Sequence, residues 1–309
     1  MILPHDGSPM TALRRAMPYV RLYRNQIFVI KAGGAVFESC ERTRALMEQI
    51  GILHDLSIRL VLVHGGGPQT TRVAEQLGIE TQMVEGRRVT SERILDVTTM
   101  VLNGSVNTRI LAQSRKLGIP AVGVSGVDSG LVHARRRPPQ TIDGTEVDYG
   151  LVGDVVKVHP ALLLELLANG HVPVVSPLCC DQNGVVLNLN ADVMAAHLSV
   201  ALKARKTVFL TGAPGILDRS GQEEQLLSIV DLIDLESLRR NGSLDGGMLP
   251  KASAITLAVE GGVPKVHVIS HDQHDSLLIE IFTNEGCGTM VVREKKSLAP
   301  DEQPAASGT

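Results

Sequence analysis

The chain has 309 residues, enough for one large core or two lobes without disulfide or metal staples, since single hydrophobic cores stop growing near roughly 250–300 residues. Hydrophobic residues make up 43% but aromatics only 2%, with no Trp, so the interior must be built from Val, Ile, Leu and Ala, the vocabulary of a parallel sheet covered on both faces. With 30 basic against 33 acidic residues, a net charge of −3 and no segregated basic block, nucleic acid is excluded as an expected partner.

In chain order, Met1 to Met10 lack the apolar core of a signal peptide, and no later stretch approaches a membrane span, so a cytoplasmic protein without a membrane partner is expected. Met10 to Arg24 spaces Leu13, Met17, Val20 and Leu22 among Arg14, Arg15, Arg21 and Arg24, which predicts a basic amphipathic helix. It buries its apolar stripe either on its own domain or on a partner.

Apolar runs of β type follow at Ile27 to Ile30, Leu60 to Val63, Ala121 to Val124, Val172 to Val175, Val208 to Leu210 and Val266 to Ile269. Helical patterns separate them near Arg42 to Leu56, Pro68 to Leu77, Ser91 to Leu117, Pro160 to Asn169, Asp192 to Leu202, Leu235 to Asn241, Lys251 to Glu260 and Ser276 to Phe282. Such alternation predicts an α/β fold, a three-layer αβα sandwich around a mainly parallel central sheet. Two lobes are expected on that sheet, 25–180 and 181–293, after an extension at 1–24 and before a polar, disordered tail at 294–309. The stretch from Ser129 to Val158 breaks the alternation and reads as hairpins over a site edge, with Arg135, Arg136 and Arg137 as a solvated charge run. Cys40, Cys179, Cys180 and Cys287 show no metal or redox spacing and read as structural thiols.

Two strand-to-helix turns carry the chemistry. Lys31, Ala32, Gly33, Gly34 follows the first run, and His64, Gly65, Gly66, Gly67, Pro68, Gln69 follows the second. Backbone without Cβ atoms approaches an anion closely, and the N–H groups of a following helix point at it, so the pair predicts a polyphosphate cradle with Lys31 as a nearby cation. Neither turn fits a Walker loop or a GxGxxG dinucleotide pattern. Two further clusters open helices: Asn188, Leu189, Asn190, Ala191, Asp192, which a helix cap alone would explain, and Asp245 to Lys251. Lys251 in a first helical turn opposes the helix dipole unless an anion lies between them.

These clusters in this order, with Gly86 to Thr90, Tyr149 to Val155, Leu210 to Gly212 and Phe282 to Met290, resemble the amino acid kinase family, in its acetylglutamate branch, from about Met10 to Val292. The resemblance implies the amino acid kinase fold, with an acetylglutamate-binding N-lobe and an ATP-binding C-lobe. It implies transfer of the γ-phosphoryl of ATP to the side-chain carboxylate of N-acetyl-L-glutamate in arginine biosynthesis. A carboxylate of pKa about 4.3 is already ionised at neutral pH, so positioning and electrostatics rather than a general base must carry the reaction, and His64 reads as a turn residue.

By resemblance, Lys31 lies on the nucleophile side, Lys251 on the leaving-group side, and Asp192 holds both. Gly33, Gly34, Gly66 and Gly67 give N–H groups to the moving phosphate, and Gly66 and Gly67 also border the acceptor. Arg88 pairs with its α-carboxylate, and Asn188 with Asn190 completes the clamp. Mg²⁺ comes with the nucleotide, with no metal site of the chain's own. The arginine-inhibited branch places an L-arginine site at Tyr19, His267, Glu280 and Gly286 and pairs N-terminal helices in a homo-hexamer; a PII-type signalling protein is a further possible partner. Gly212 departs from the family's usual Asp, and Ser270, His271, Asp272 from its usual turn. Two alternatives stand beside this reading: a kinase of a carrier-linked aminoadipate carboxylate, and a catalytically weak arginine-sensing or partner-binding protein on the same scaffold.

Overall fold

The computed structural model describes residues 9–297 except Asp143, Gln222 and Asp245. Eight strands form the central sheet: β1 (Ile27–Ala32), β2 (Arg59–His64), β3 (Ala121–Ser125), β4 (Val172–Ser176), β5 (Lys206–Thr211), β6 (Ile229–Asp231), β7 (Lys265–Ser270) and β8 (Thr289–Val292). They lie in the order β6-β8-β7-β5-β1-β2-β4-β3. All pairings are parallel except β7 with β8. The six expected strands are therefore the six that run together, and the two short ones at one side were not foreseen.

Period-two alternation sorts the strand side chains into two layers. Val29, Val61, Val63, Phe209, Val266 and Val268 pack with residues of α6 (Ala161–Ala168), α7 (Ala191–Ala201), α8 (Leu232–Arg240) and α9 (Met248–Glu260). Phe28, Ile30, Leu60, Leu62, Val174 and Val208 pack on the opposite face with α2 (Cys40–Asp55), α4 (Glu92–Thr99), α5 (Thr108–Lys116) and α10 (Ser276–Phe282). Helices on both faces make the αβα sandwich. The helix expected from Ser91 to Leu117 is continuous but widens to a π-helix at Met100–Asn107 between α4 and α5.

The irregular stretch supplies two strands, 132–136 and 153–158, of a second sheet of four, ordered 186–188, 178–180, 132–136, 153–158, and a small hairpin at 140–142 and 145–147. The basic segment before β1 is α1 (Pro9–Tyr23). Tyr23 is buried edge-on against Phe28, with Lys206 Nζ 5.1 Å from its ring centre, while Met10, Leu13 and Leu22 stay exposed. Of the expected tail, residues 294–297 are described: Lys295 pairs with Asp234 of α8 at 2.6 Å within a 3₁₀ turn, just after Arg293, which donates to Glu260 O at the end of α9. Residues 1–8, and 298–309 of the tail expected to be disordered, lie outside the described residues, as does Asp245 of the fourth cluster.

Candidate active site

β1 and β2 end side by side, with Ala32 opposite His64, so their glycine turns leave the sheet together at the carboxyl ends of parallel strands. Side-chain caps start α2, α4, α7 and α8. In contrast, α3 (Gly67–Gln76) and α9 start at Gly66 and Gly247 with no side-chain cap, which leaves first-turn N–H groups for another acceptor. Gly34 is required by crowding: a Cβ there would stand 2.7 Å from Gln69 Oε1 and 2.8 Å from Pro68 Cδ.

Two cavities of about 310 Å³ each meet at this edge. Lys31, Gly33, Gly34, Gly66, Gly67, Arg88, Asn188, Asn190 and Asp192 all line the first. Thr211, Gly212, Gly215, Gly247 and Lys251 line the second. At the junction, Asp192 Oδ1 accepts from Lys31 Nζ and from Lys251 Nζ, each at 2.9 Å. All three side chains are about nine-tenths buried. Burial pushes the Asp192 carboxyl up, but the two ammonium groups outweigh it and hold it at about 2. Lys251 is lowered to about 8 by burial and by repulsion from Lys31, against the pull of Asp192. Two cations on one anion leave a surplus positive charge where the cavities touch.

Arg88 also lines the first cavity. Its Nη2 donates to Gly67 O at 3.1 Å and to Thr71 Oγ1 at 2.6 Å, while Nη1 is buried with no protein partner. Asn188 Nδ2 donates to Thr90 Oγ1 at 3.2 Å, and Thr90 Oγ1 to Arg88 O at 3.2 Å, so the two residues expected to form the clamp are tied through one hydroxyl. Asn190 spends its side-chain oxygen on the start of α7, accepting from Asp192 N at 2.8 Å and Val193 N at 3.1 Å. It positions Asp192 as much as it lines the cavity. His64 is fully buried and pushed down to about 4 by desolvation, which the Gly65 carbonyl only partly offsets.

One residue of this site was missed. Arg137, expected in a solvated run, is only 8% exposed, lines the first cavity, and donates to Asp154 Oδ1 from Nε at 3.0 Å and Nη2 at 2.6 Å. Its guanidinium also lies 5.6 Å from the Tyr149 ring centre. Arg135 and Arg136 are exposed as expected. A run of like charges does not say which member the strand turns inward; the nearby pair Tyr149 and Asp154 was the available hint.

The second group of expected residues is elsewhere, with Tyr19 on α1, Glu280 on α10 and His267 on β7. His267 Nδ1 lies 2.6 Å from Glu280 Oε1, and Glu280 Oε2 accepts from Cys287 N at 2.7 Å and Gly288 N at 3.2 Å. Lys206 Nζ lies 3.0 Å from His267 Nε2. Burial, then Lys206, lowers His267 to about 4, so the lysine donates to a neutral ring whose Nδ1 proton goes to Glu280. Gly286 has φ +61° and no room for a side chain, with Glu280 Oε2 2.7 Å from a Cβ position. The Tyr19 hydroxyl donates to Asn284 beside it.

A mostly parallel sandwich whose strand ends present glycine turns, uncapped helix starts and two lysines on one aspartate is the class of an anion-handling phosphotransferase. The chain belongs to the amino acid kinase family, whose family model matches residues 26–270. Similar proteins include an acetylglutamate kinase of Myxococcus xanthus (strain DK1622), 45% identical over 298 residues, covering 94% of this chain and 97% of the relative. An acetylglutamate kinase of Archaeoglobus fulgidus is 40% identical over 282 residues, covering 90% of this chain and 97% of the relative. Among solved structures, N-acetylglutamate synthase from Neisseria gonorrhoeae complexed with coenzyme A and N-acetyl-glutamate superposes with a TM-score of 0.81 at 30% identity. That match covers 93% of this chain but only 64% of the synthase chain. Carbamate kinase from Giardia lamblia bound to AMP-PNP, at 16% identity and a TM-score of 0.64 over 87% of this chain and 99% of the other, shares the fold.

Proposed function

We propose that the chain transfers the γ-phosphoryl group of ATP to the side-chain carboxylate of N-acetyl-L-glutamate, forming N-acetyl-L-glutamyl 5-phosphate in arginine biosynthesis. Near full-length similarity to acetylglutamate kinases supports the substrate pair. The observation that carries the chemistry is Asp192 Oδ1 shared between Lys31 and Lys251 where the two cavities meet. In this reading, Lys31 faces the acceptor and Lys251 the nucleotide, each neutralising charge on one side of the transferred group, while Asp192 sets their separation. Gly33, Gly34, Gly66 and Gly67 donate backbone N–H groups to the moving phosphoryl. The Arg88 guanidinium pairs with the α-carboxylate, which completes a buried Nη1, and Asn188 holds the rest of the amino acid. Asn190 supports the clamp mainly by holding α7. The acceptor oxygen attacks without losing a proton, so the neutral, buried His64 has no acid–base part.

Mg²⁺ arrives with ATP. Asp192 is spent on two ammonium groups, and among the described residues no three His, Cys, Asp or Glu side chains gather as metal ligands. The lobes divide as 25–180 mainly for the acceptor and 181–293 mainly for ATP, with Asn188 and Asn190 of the second lobe reaching the first cavity, and 1–24 serves assembly and regulation. L-arginine is the effector of this reading, taken up near Tyr19, His267, Glu280 and Gly286, and the exposed Met10, Leu13 and Leu22 of α1 are the faces through which copies pair in a hexamer. A PII-type protein is a further partner to test. No helix among the described residues is long and apolar enough to cross a membrane, and a cytoplasmic location matches the ATP pool the reaction needs.

The decisive assay traps acyl phosphate with hydroxylamine in the presence of MgATP and N-acetyl-L-glutamate. Product is expected, and its absence at saturating substrates sinks the kinase reading. Adding arginine tests the effector, and light scattering of a chain lacking residues 1–24 tests the hexamer, which that deletion should reduce in mass.

A further inference from the structure

The π-helical stretch Met100–Asn107 lies against the second glycine turn. Insertions of this kind are frequent at functional sites because the extra residue per turn re-aims side chains. Here Leu102 and Val106 press on Gly66, where a Cβ would stand 2.6 Å and 3.6 Å from their methyl groups. Asn107, the last residue of the stretch, is buried, and its Nδ2 lies 2.9 Å from Val174 O and 3.1 Å from His64 Nε2. Its place is specified from the other side as well: Asn107 Oδ1 occupies the spot 2.0 Å from where a Cβ on Gly123 would be, so β3 admits the amide only with glycine there.

Proton bookkeeping along this path has one solution. Val174 O only accepts, so the nitrogen of the Asn107 amide faces it, and the second hydrogen of that nitrogen points at His64. His64 Nε2 therefore accepts, and the ring proton is on Nδ1. His64 Nδ1 lies 3.1 Å from Gly65 O, which accepts that proton. The described peptides are all trans, so with the Gly65 carbonyl turned to the buried imidazole, the Gly66 N–H turns away from it, and Gly65, Gly66 and Gly67 all line the first cavity.

We propose that Asn107 and His64 are positioning residues for phosphoryl transfer, a relay from the Asn107 amide through the imidazole to the Gly65 carbonyl that aims the Gly66 N–H at the moving phosphoryl. The relay rests on the kinase reading above, but its geometry can be tested without it. The buried ring stays neutral through the working range, since desolvation places its protonation near 4.

The test uses the full chain with ¹⁵N-labelled histidine, the His64 signals being assigned by their loss in His64→Asn. The Nδ1–H tautomer is expected in the unaltered protein and its loss or mixing in Asn107→Leu. With MgATP and N-acetyl-L-glutamate, Asn107→Leu and His64→Leu should lower kcat roughly 10–100-fold while both KM values stay within about threefold, less than the roughly 10²–10³-fold cost of removing such a donor outright because the N–H is misaimed and not deleted. His64→Asn carries an amide N–H where the ring has Nδ1–H and should restore most of that kcat. An Nε2–H tautomer in the unaltered protein, or His64→Asn as impaired as His64→Leu, overturns the relay. A correct tautomer in a protein that makes no acyl phosphate would instead remove the kinase reading alone.

Discussion

Lys251 donates to Asp192 Oδ1 at 2.9 Å across a separation of 59 residues, which joins the start of α9 to the start of α7 at the floor of the cleft. The contact brings a cation into a first helical turn, where the helix dipole disfavours it, and the aspartate offsets that cost until an anionic substrate arrives.

Asp192→Asn would leave two ammonium groups facing each other with no counterion. Removing one partner of a buried ion pair costs about 3–5 kcal/mol, and the lysines would lose their spacing. Chemical denaturation should show that destabilisation, and steady-state assays a kcat about 10²-fold lower. A variant as stable and as active as the parent would remove Asp192 from the centre of the site.

The charge on Lys251 sets a basic limit. Its pKa is about 8, lowered first by burial, so in the free protein the ammonium is present below that value and lost above it. Because kcat/KM reports the free enzyme, it should fall as pH rises through about 8. Asp192, held at about 2, contributes no acid limb in the usual assay range. Lys251→Ala should lose the basic limb together with most of kcat, and an unshifted limb in that variant would assign it elsewhere.

Arg88→Lys keeps the charge but cannot donate in parallel from a planar fork while also holding Gly67 O and Thr71 Oγ1. KM for N-acetyl-L-glutamate should rise by roughly 10–100-fold, equivalent to about 1.5–3 kcal/mol for a hydrogen bond to a charged group. KM for ATP should not move. Equal changes in both constants would point to a collapsed cleft rather than a lost clamp.

Gly34→Ala places a methyl within 3 Å of both Gln69 Oε1 and Pro68 Cδ, and only 3.1 Å from the Gly66 backbone. Proline cannot swing aside, so the two glycine turns must part. A loss of about 1–3 kcal/mol in stability is expected from the overpacking, measured by thermal unfolding, with a larger loss in kcat. Gly67→Ala meets nothing within 4 Å and serves as the control, expected to be near neutral in stability.

Much of this architecture is legible in local pattern. Continuous Val, Ile and Leu runs separated by 3.6-period segments specify parallel strands with helices between them, because a strand buried on both faces needs apolar residues at every position. The short strands β6 and β8 escaped notice because three or four residues carry too little periodicity to stand out from a loop. The π-helix escaped for a related reason: the apolar residues from Ser91 to Leu117 satisfy a helical pattern, and the widened turn shows only in where Leu102, Val106 and Asn107 point. Arg137 shows the same limit, since its neighbours Arg135 and Arg136 are chemically identical yet exposed.

The glycine turns, with Lys31 before one and His64 opening the other, follow from sequence alone, since strand, turn and helix are local and a glycine's missing Cβ is a property of the residue. The assembly of Lys31, Asp192 and Lys251 on one oxygen does not. Those residues are far apart in the chain, and their meeting depends on β1 lying between β5 and β2 and on α7 and α9 packing together on one face of the sheet. The direction of the Gly66 N–H depends on the same packing, through an amide on a widened helix and a glycine on a distant strand. Short-range chemistry names the parts of such a site; their spacing and proton positions come from long-range contacts, which no local pattern encodes.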